Sequence, residues 1–140
     1  MPIQRRSVME LALRSSAAYR NPFLDVELEA TFTAPDGATR TMPGFFDGQG
    51  TWRVRFSPHI AGTWRYRTAT PIGDPDLATS GEFEVVEPAG QVRGFLRTCP
   101  GRGWGLEWES GEPCLVLGDT MYNLFGVAHC GLDVEAVLRR

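Results

Sequence analysis

No run in these 140 residues approaches the ~18 consecutive apolar residues of a membrane helix, so no membrane is expected as a partner. Cysteine is scarce. Cys99, Cys114 and Cys130 are odd in number and widely spaced, which fits neither a zinc site nor a redox pair; reduced, partly buried thiols are expected. His59 and His129 read as single loop histidines with no Ser, Cys or metal-ligand partner at a useful spacing, so neither catalysis nor metal binding is expected of them. The 14 basic residues are scattered against 17 acids, for a net charge of −3, and form no stripe that would suit nucleic acid. Gly101-Arg102-Gly103 lacks the lysine and the following helix of a phosphate loop, and no cofactor is expected. The amino end MPIQRRSVMELAL is a poor signal peptide, which suggests a cytoplasmic chain as it stands and leaves a secreted or periplasmic location open.

What is present is alternation, clearest over residues 44–70. Trp52, Val54 and Phe56 point one way and Thr51, Arg53 and Arg55 the other; Trp64 and Tyr66 then share a face opposite Thr63, Arg65 and Arg67. Period two with aromatic and β-branched residues predicts strands half buried against a core, with Trp52, Phe56, Trp64 and Tyr66 inside. Asp47-Gly48-Gln49-Gly50 supplies a tight reversal, and Pro58 and Gly62 bound the next connection. Five residues there allow a hairpin or a crossing between two sheets; the Tyr just beyond favours the crossing.

Around this centre, strands are expected over residues 7–13, 26–33, 39–46 and 81–86. Residues 15–25 and 71–79 read as loops, and Ala34-Pro35-Asp36-Gly37 as a turn. Along 26–33, Val26, Leu28, Ala30 and Phe32 face in. Six or seven short strands at such intervals predict an all-β domain, a β-sandwich over residues 1–88. Residues 89–140 differ. A hairpin is expected from 91–98 and 105–109, then a strand buried on both faces over 113–117, then a helix over 132–140 with Asp133 and Glu135 early and Arg139 and Arg140 late. A buried strand followed by a helix opens an α/β unit, but one such unit cannot close a parallel sheet, so this end reads as truncated.

The runs Asn21-Pro22-Phe23, Phe32…Pro35-Asp36-Gly37, Gly44-Phe45-Phe46-Asp47-Gly48, Trp52-Arg53-Val54-Arg55-Phe56-Ser57-Pro58 and Gly62-Thr63-Trp64-Arg65-Tyr66 resemble a domain of unknown function. That domain is an immunoglobulin- or fibronectin-III-like sandwich that precedes bacterial glycoside hydrolase barrels of the apiosidase-like class. Gly111-Glu112-Pro113 and Leu115 to Tyr122 are similar to the first barrel strand and the loop after it. The resemblance covers roughly residues 7–140. It implies a truncated barrel whose acid/base and nucleophile carboxylates would lie on later strands, so none is carried over and no enzymatic activity is expected of this chain alone.

Glycosidases need two carboxyl groups about 5–10 Å apart. Glu27, Glu29, Glu82 and Glu84 read as solvated strand residues, and Asp36, Asp47, Asp74 and Asp76 as solvated turn residues. Asp119 follows the buried strand at its carboxyl end. The resemblance makes it, with Tyr122, a substrate-pocket candidate, whereas a cap on the next turn is the plainer reading. Trp104 and Trp108 flank a Gly-rich turn and could stack on a sugar, or pack between the two regions. The function expected is a non-catalytic module of a carbohydrate-active enzyme, supporting the barrel or shaping its sugar site. A stand-alone module for a polysaccharide, an oligosaccharide or a protein is the rival. A homo-oligomer through the carboxyl-terminal strand is expected, since that strand lacks its barrel neighbours.

Overall fold

The computed structural model describes residues 2–101, 105–118 and 122–138. The chain divides into two compact units, residues 1–95 and 96–140. It is built mostly of β-strands, with a few short helices. Among the described residues no helix is long and apolar enough to cross a membrane.

The first unit holds two sheets. One has the order β1-β8-β7-β3-β4, from Ile3–Gln4, Ser80–Val86, Gly62–Ala69, Glu29–Thr33 and Thr39–Pro43. Its pairs are antiparallel except β1 with β8, which is parallel. The other sheet is β2-β6-β5, from Met9–Arg14, Thr51–Phe56 and Phe45–Gly48, antiparallel throughout. The two inner faces share one core. Phe32 of β3 stacks on Phe56 of β6 with centroids 4.1 Å apart, and Phe56 meets Trp64 of β7 edge-on at 5.1 Å. Trp52 and Trp64 are 1% and 0% exposed, with Phe56, Val54, Val26, Leu28, Ala30 and Val85 also buried. Tyr66, on the same face as Trp64, is only half buried against this core.

The connection after Phe56 runs from one sheet to the other, because β6 and β7 belong to different sheets. The β5–β6 reversal uses Gly48 at φ 91° and Gly50 at φ 70°, the left-handed region the tight turn requires. The expected single strand over 39–46 is two. Gly44 breaks it: its N–H donates to Leu28 O at 2.7 Å, and a Cβ there would stand 2.6 Å from Leu28 Cδ2. β4 therefore pairs with β3 while β5 passes to the second sheet.

Other boundaries also moved. The first long strand is Met9–Arg14 rather than 7–13, and β1 precedes it. Ladder pairing in the 26–33 segment begins only at Glu29, although burial alternates from Val26. The loop 15–25 contains a one-turn helix, α1, Pro22–Asp25. The Asn21 side chain caps it by accepting from Phe23 N at 3.2 Å, and Asp25 accepts from Asn21 N at 2.8 Å. The loop 71–79 holds a 3₁₀ turn, Pro75–Leu77, whose Leu77 is fully buried.

The second unit has one small antiparallel sheet, β11-β10-β9, from Pro113–Cys114, Leu106–Trp108 and Leu96–Thr98. The hairpin expected there forms, with shorter strands. The strand expected over 113–117 does not: pairing stops at Cys114, and Leu115, Val116 and Leu117 are 82%, 61% and 85% exposed. An apolar run facing both ways needs a ladder partner and cover on each face, and none is present among the described residues. The helix α2, Leu124–His129, went unforeseen and takes His129 out of a loop. The last helix starts later than expected: α3 is Val134–Leu138, with Asp133 Oδ1 accepting from Ala136 N at 3.1 Å. Arg139 and Arg140 lie outside the described residues.

Candidate functional site

Of the four residues singled out for sugar contact, Trp104 and Asp119 lie outside the described residues. Trp108 sits in β10, half buried, paired with Leu96 of β9. Tyr122 is 88% exposed and makes no hydrogen bond or ring contact among the described residues, so no such contact joins it to Trp108. All three cysteines are free. Cys99 and Cys114 are half buried, whereas Cys130 is exposed instead of partly buried. Among the described residues no cluster of His, Cys, Asp or Glu could hold a metal ion. His59 lies edge-on to Trp64 at 5.5 Å, which makes it a packing neighbour of the core.

The polar cluster with the most structure was not foreseen. Asp74, read from the sequence as a solvated turn residue, is buried. Its carboxylate accepts from Ser15 Oγ at 2.5 Å, from the Tyr19 hydroxyl, and from Asp76 N at 2.9 Å. Asp76 accepts from Ser16 N at 2.8 Å and from Ser16 Oγ at 2.6 Å. The loop after β2 is thereby tied to the 3₁₀ turn between β7 and β8. Bonds from the Ser15 hydroxyl, then Tyr19, hold the Asp74 carboxyl below the usual carboxylate range, and Ser16 does the same for Asp76. The Asp74 bond pushes the Tyr19 phenol up. A carboxylate stabilised in its charged form is a poor proton donor, and a phenol held neutral is no nucleophile. The group is a clasp. Its one sequence signal is the Asp-Pro-Asp spacing, which also suits an Asp-capped turn.

The outer faces of the two sheets carry the remaining charge. On the three-stranded sheet Arg53 bonds Asp47 at 2.5 Å and also Glu10, and Arg55 bonds Glu10 at 2.8 Å while lying 5.0 Å over the Phe45 ring. Arg55, then Arg53, lowers the Glu10 carboxyl below its ordinary range. Phe23 and Leu24 stand exposed on α1, with Phe23 edge-on at 5.1 Å to Phe46, the β5 residue paired with buried Trp52 on the inner side. On the five-stranded sheet two shallow grooves follow β7. One, of about 270 Å³, is lined by Thr33, Ala34, Pro35, Thr63 and Arg65; the other, of about 330 Å³, runs from Arg67 to Thr70 and from Ala78 to Ser80. Arg65 is neutralised by Glu82 at 2.7 Å, and Thr63 donates to Glu84 at 3.0 Å. Arg67 has no ion pair or hydrogen bond among the described residues.

No curated protein matches the chain. A solved structure from Bacteroides vulgatus ATCC 8482, described as a "putative glycoside hydrolase", is similar over 86% of this chain at 27% identity, with a TM-score of 0.70. This chain spans only 22% of that protein. Residues 3–71 match the family described as a domain of unknown function (DUF5060). The family match and the structural likeness together support a glycoside hydrolase-associated domain of unknown function.

Proposed function

We propose that residues 1–95 are an immunoglobulin-like β-sandwich acting as a non-catalytic module of a carbohydrate-active enzyme. In this reading residues 96–140 are a hairpin and the opening of an α/β barrel of the apiosidase-like class, and the sandwich supports that barrel or shapes one side of its sugar site. The observation that carries the reading is the likeness to the Bacteroides protein, which takes in 86% of this chain yet only 22% of the other. Most of this chain thus corresponds to a minor share of a much longer one. Several acids on the described surface agree with a structural role: Asp36 caps a turn, Asp47 and Glu82 form ion pairs, and Asp74 holds the clasp. The exposed run 115–117 fits a strand whose neighbours come from further polypeptide, and in the isolated chain a second copy serves as that neighbour.

Exposed Phe45 beside Arg55, and separately exposed Phe23 and Leu24 on α1, favour a second reading, a module that grips another protein or a glycan in its own right. A chimaera separates the two. The chain replaces its matching segment in the Bacteroides protein, beside a variant with that segment deleted. The module reading expects soluble, folded protein from the chimaera and aggregation from the deletion; equal yields from both would sink it. Assayed alone on aryl glycosides and pectic oligosaccharides, the chain is expected to show no turnover. Hydrolysis abolished by replacing one Asp or Glu would contradict the non-catalytic assignment.

A further inference from the structure

Two grooves share the outer face of the five-stranded sheet, and their charge differs. Across the strands one row reads Thr39, Thr33, Arg65, Glu82 and the next Thr41, Thr31, Arg67, Ser80. In the first row the guanidinium is answered by a carboxylate; in the second the corresponding place is held by the Ser80 hydroxyl. The groove at Arg67 therefore holds a guanidinium that no carboxylate answers within its own row, with Glu29 in the neighbouring row. It lies where β7 and β8 part beyond their last ladder pair, with Thr68 Oγ1 closing the gap through Leu77 O at 2.7 Å and Thr79 N at 2.8 Å. In its wall Thr70 Oγ1 is buried and lacks a hydrogen-bond partner among the described residues. That oxygen is enclosed, so it belongs to the floor of the groove and not to its open surface.

We propose that this groove binds a sugar acid, with Arg67 taking the carboxylate and the hydroxyls of Thr79 and Ser80 taking the ring hydroxyls. A guanidinium presents two parallel N–H donors matched to a planar carboxylate. The groove, about 330 Å³, is shallow and open, and both its alanines, Ala69 and Ala78, leave room above the backbone. The preference for an anion comes from the groove itself; the preference for a sugar rests on the carbohydrate reading above.

The test is a titration of the full ¹⁵N-labelled chain with digalacturonate, with galactobiose and sodium sulfate as separate arms. Saturable shifts are expected at the amides of Arg67, Ala69, Thr79 and Ser80 with digalacturonate and none with galactobiose. Arg67→Gln, whose side chain supports no other residue, weakens binding about tenfold or more, as loss of one charge-assisted pair requires. Glu29→Gln tightens it, because Glu29 pairs with Ala69 beside Arg67 and repels an anion. Absence of saturable shifts, equal response to galactobiose, sulfate binding as tightly as the uronate, or an unchanged Arg67→Gln variant each overturns the proposal. Failure of the chimaera described above would leave these shifts where they are, so the two readings fail separately.

Discussion

The two units treat their apolar residues in opposite ways. In the strands of residues 1–95 inward residues alternate with outward ones, and the face opposite supplies partners: Phe32 meets Phe56 and Phe56 meets Trp64, while Tyr19 of the loop after β2 meets Trp52 edge-on at 5.5 Å. In residues 96–140 the strands are three, three and two residues long, and Leu115, Leu117, Tyr122 and Phe125 stand in water. The difference lies in pattern more than in composition. Strict alternation lets a strand bury one face and solvate the other, so two sheets suffice. A run apolar on both faces needs lateral neighbours as well as cover, and a three-stranded sheet with β11 at its edge provides neither beyond Cys114.

The contrast predicts where substitutions bite. Trp64 is fully buried, and its Nε1 donates to Ile60 O at 3.0 Å. Trp64→Ala should cost about 3–5 kcal/mol, a large part of a typical total of ~5–15 kcal/mol. Thermal unfolding followed by near-ultraviolet circular dichroism is the measurement. A variant melting with the parent would mean that the two-sheet core does not hold the first unit together.

The clasp comes next. Asp74→Ala leaves the hydroxyls of Ser15 and Tyr19 without their acceptor, and a loss of about 1.5–3 kcal/mol is expected. Its pH dependence has a definite sign. Asp74, Asp76 and Glu10 all have folded carboxyls held below their ordinary values, so folding favours their ionised forms. The stability they add is fully present above the unfolded carboxylate value of about 4, and is lost as pH falls through the lower folded values. Melting temperature should stay level from neutral pH to about 5 and drop below about 4, less steeply in Asp74→Asn. A midpoint that rises on acidification would contradict this sign.

Most of the first unit was legible because period two reports burial directly. Val26, Leu28, Ala30 and Phe32 are buried where the alternation put them, and the passage between sheets after Phe56 is where the proline and glycine bounds allowed it. The Gly44 break was not legible, since it depends on the approach of Leu28 from the segment just before β3. Nor was the Asp74 clasp, whose partners lie 55 and 59 residues away in sequence. In the second unit the run 113–117 carried a burial signal that depends on neighbours, and a sequence pattern does not say whether those neighbours are there. Two of the four sugar-contact candidates, Trp104 and Asp119, lie outside the described residues, and the other two share no ring contact or hydrogen bond.

Gly44→Ala probes the crossing between the sheets. The added methyl would stand 2.6 Å from Leu28 Cδ2, 2.8 Å from its Cγ and 3.0 Å from its Cβ, so rotating the leucine tip does not clear it. Overpacking of this kind costs about 1–3 kcal/mol. Leu28→Ala, costly alone because Leu28 is buried, should cost less in this background, because it removes Cγ and Cδ2 from the way. Denaturant midpoints of the single and double variants give the coupling, and additive costs would mean that the two residues do not meet.

The smallest effect on stability is expected where the apolar residues are already exposed. Leu115→Ser and Leu117→Ser remove side chains that are 82% and 85% exposed in the isolated chain, so the melting of the two-sheet unit should move by no more than about 0.5 kcal/mol. Their effect should appear in association instead. Burying each of Leu115, Val116 and Leu117 against a second copy is worth up to about 1.5–3 kcal/mol, and the unpaired backbone beyond Cys114 offers the ladder to hold them there. Light scattering across a dilution series should therefore show the parent chain associating at high concentration, and the double serine variant remaining monomeric with an unchanged melting curve. A parent that stays monomeric, with the amides of 115–117 protected from exchange, would mean that the run folds back within its own unit. The contrast between the two units would then narrow to one of strand length.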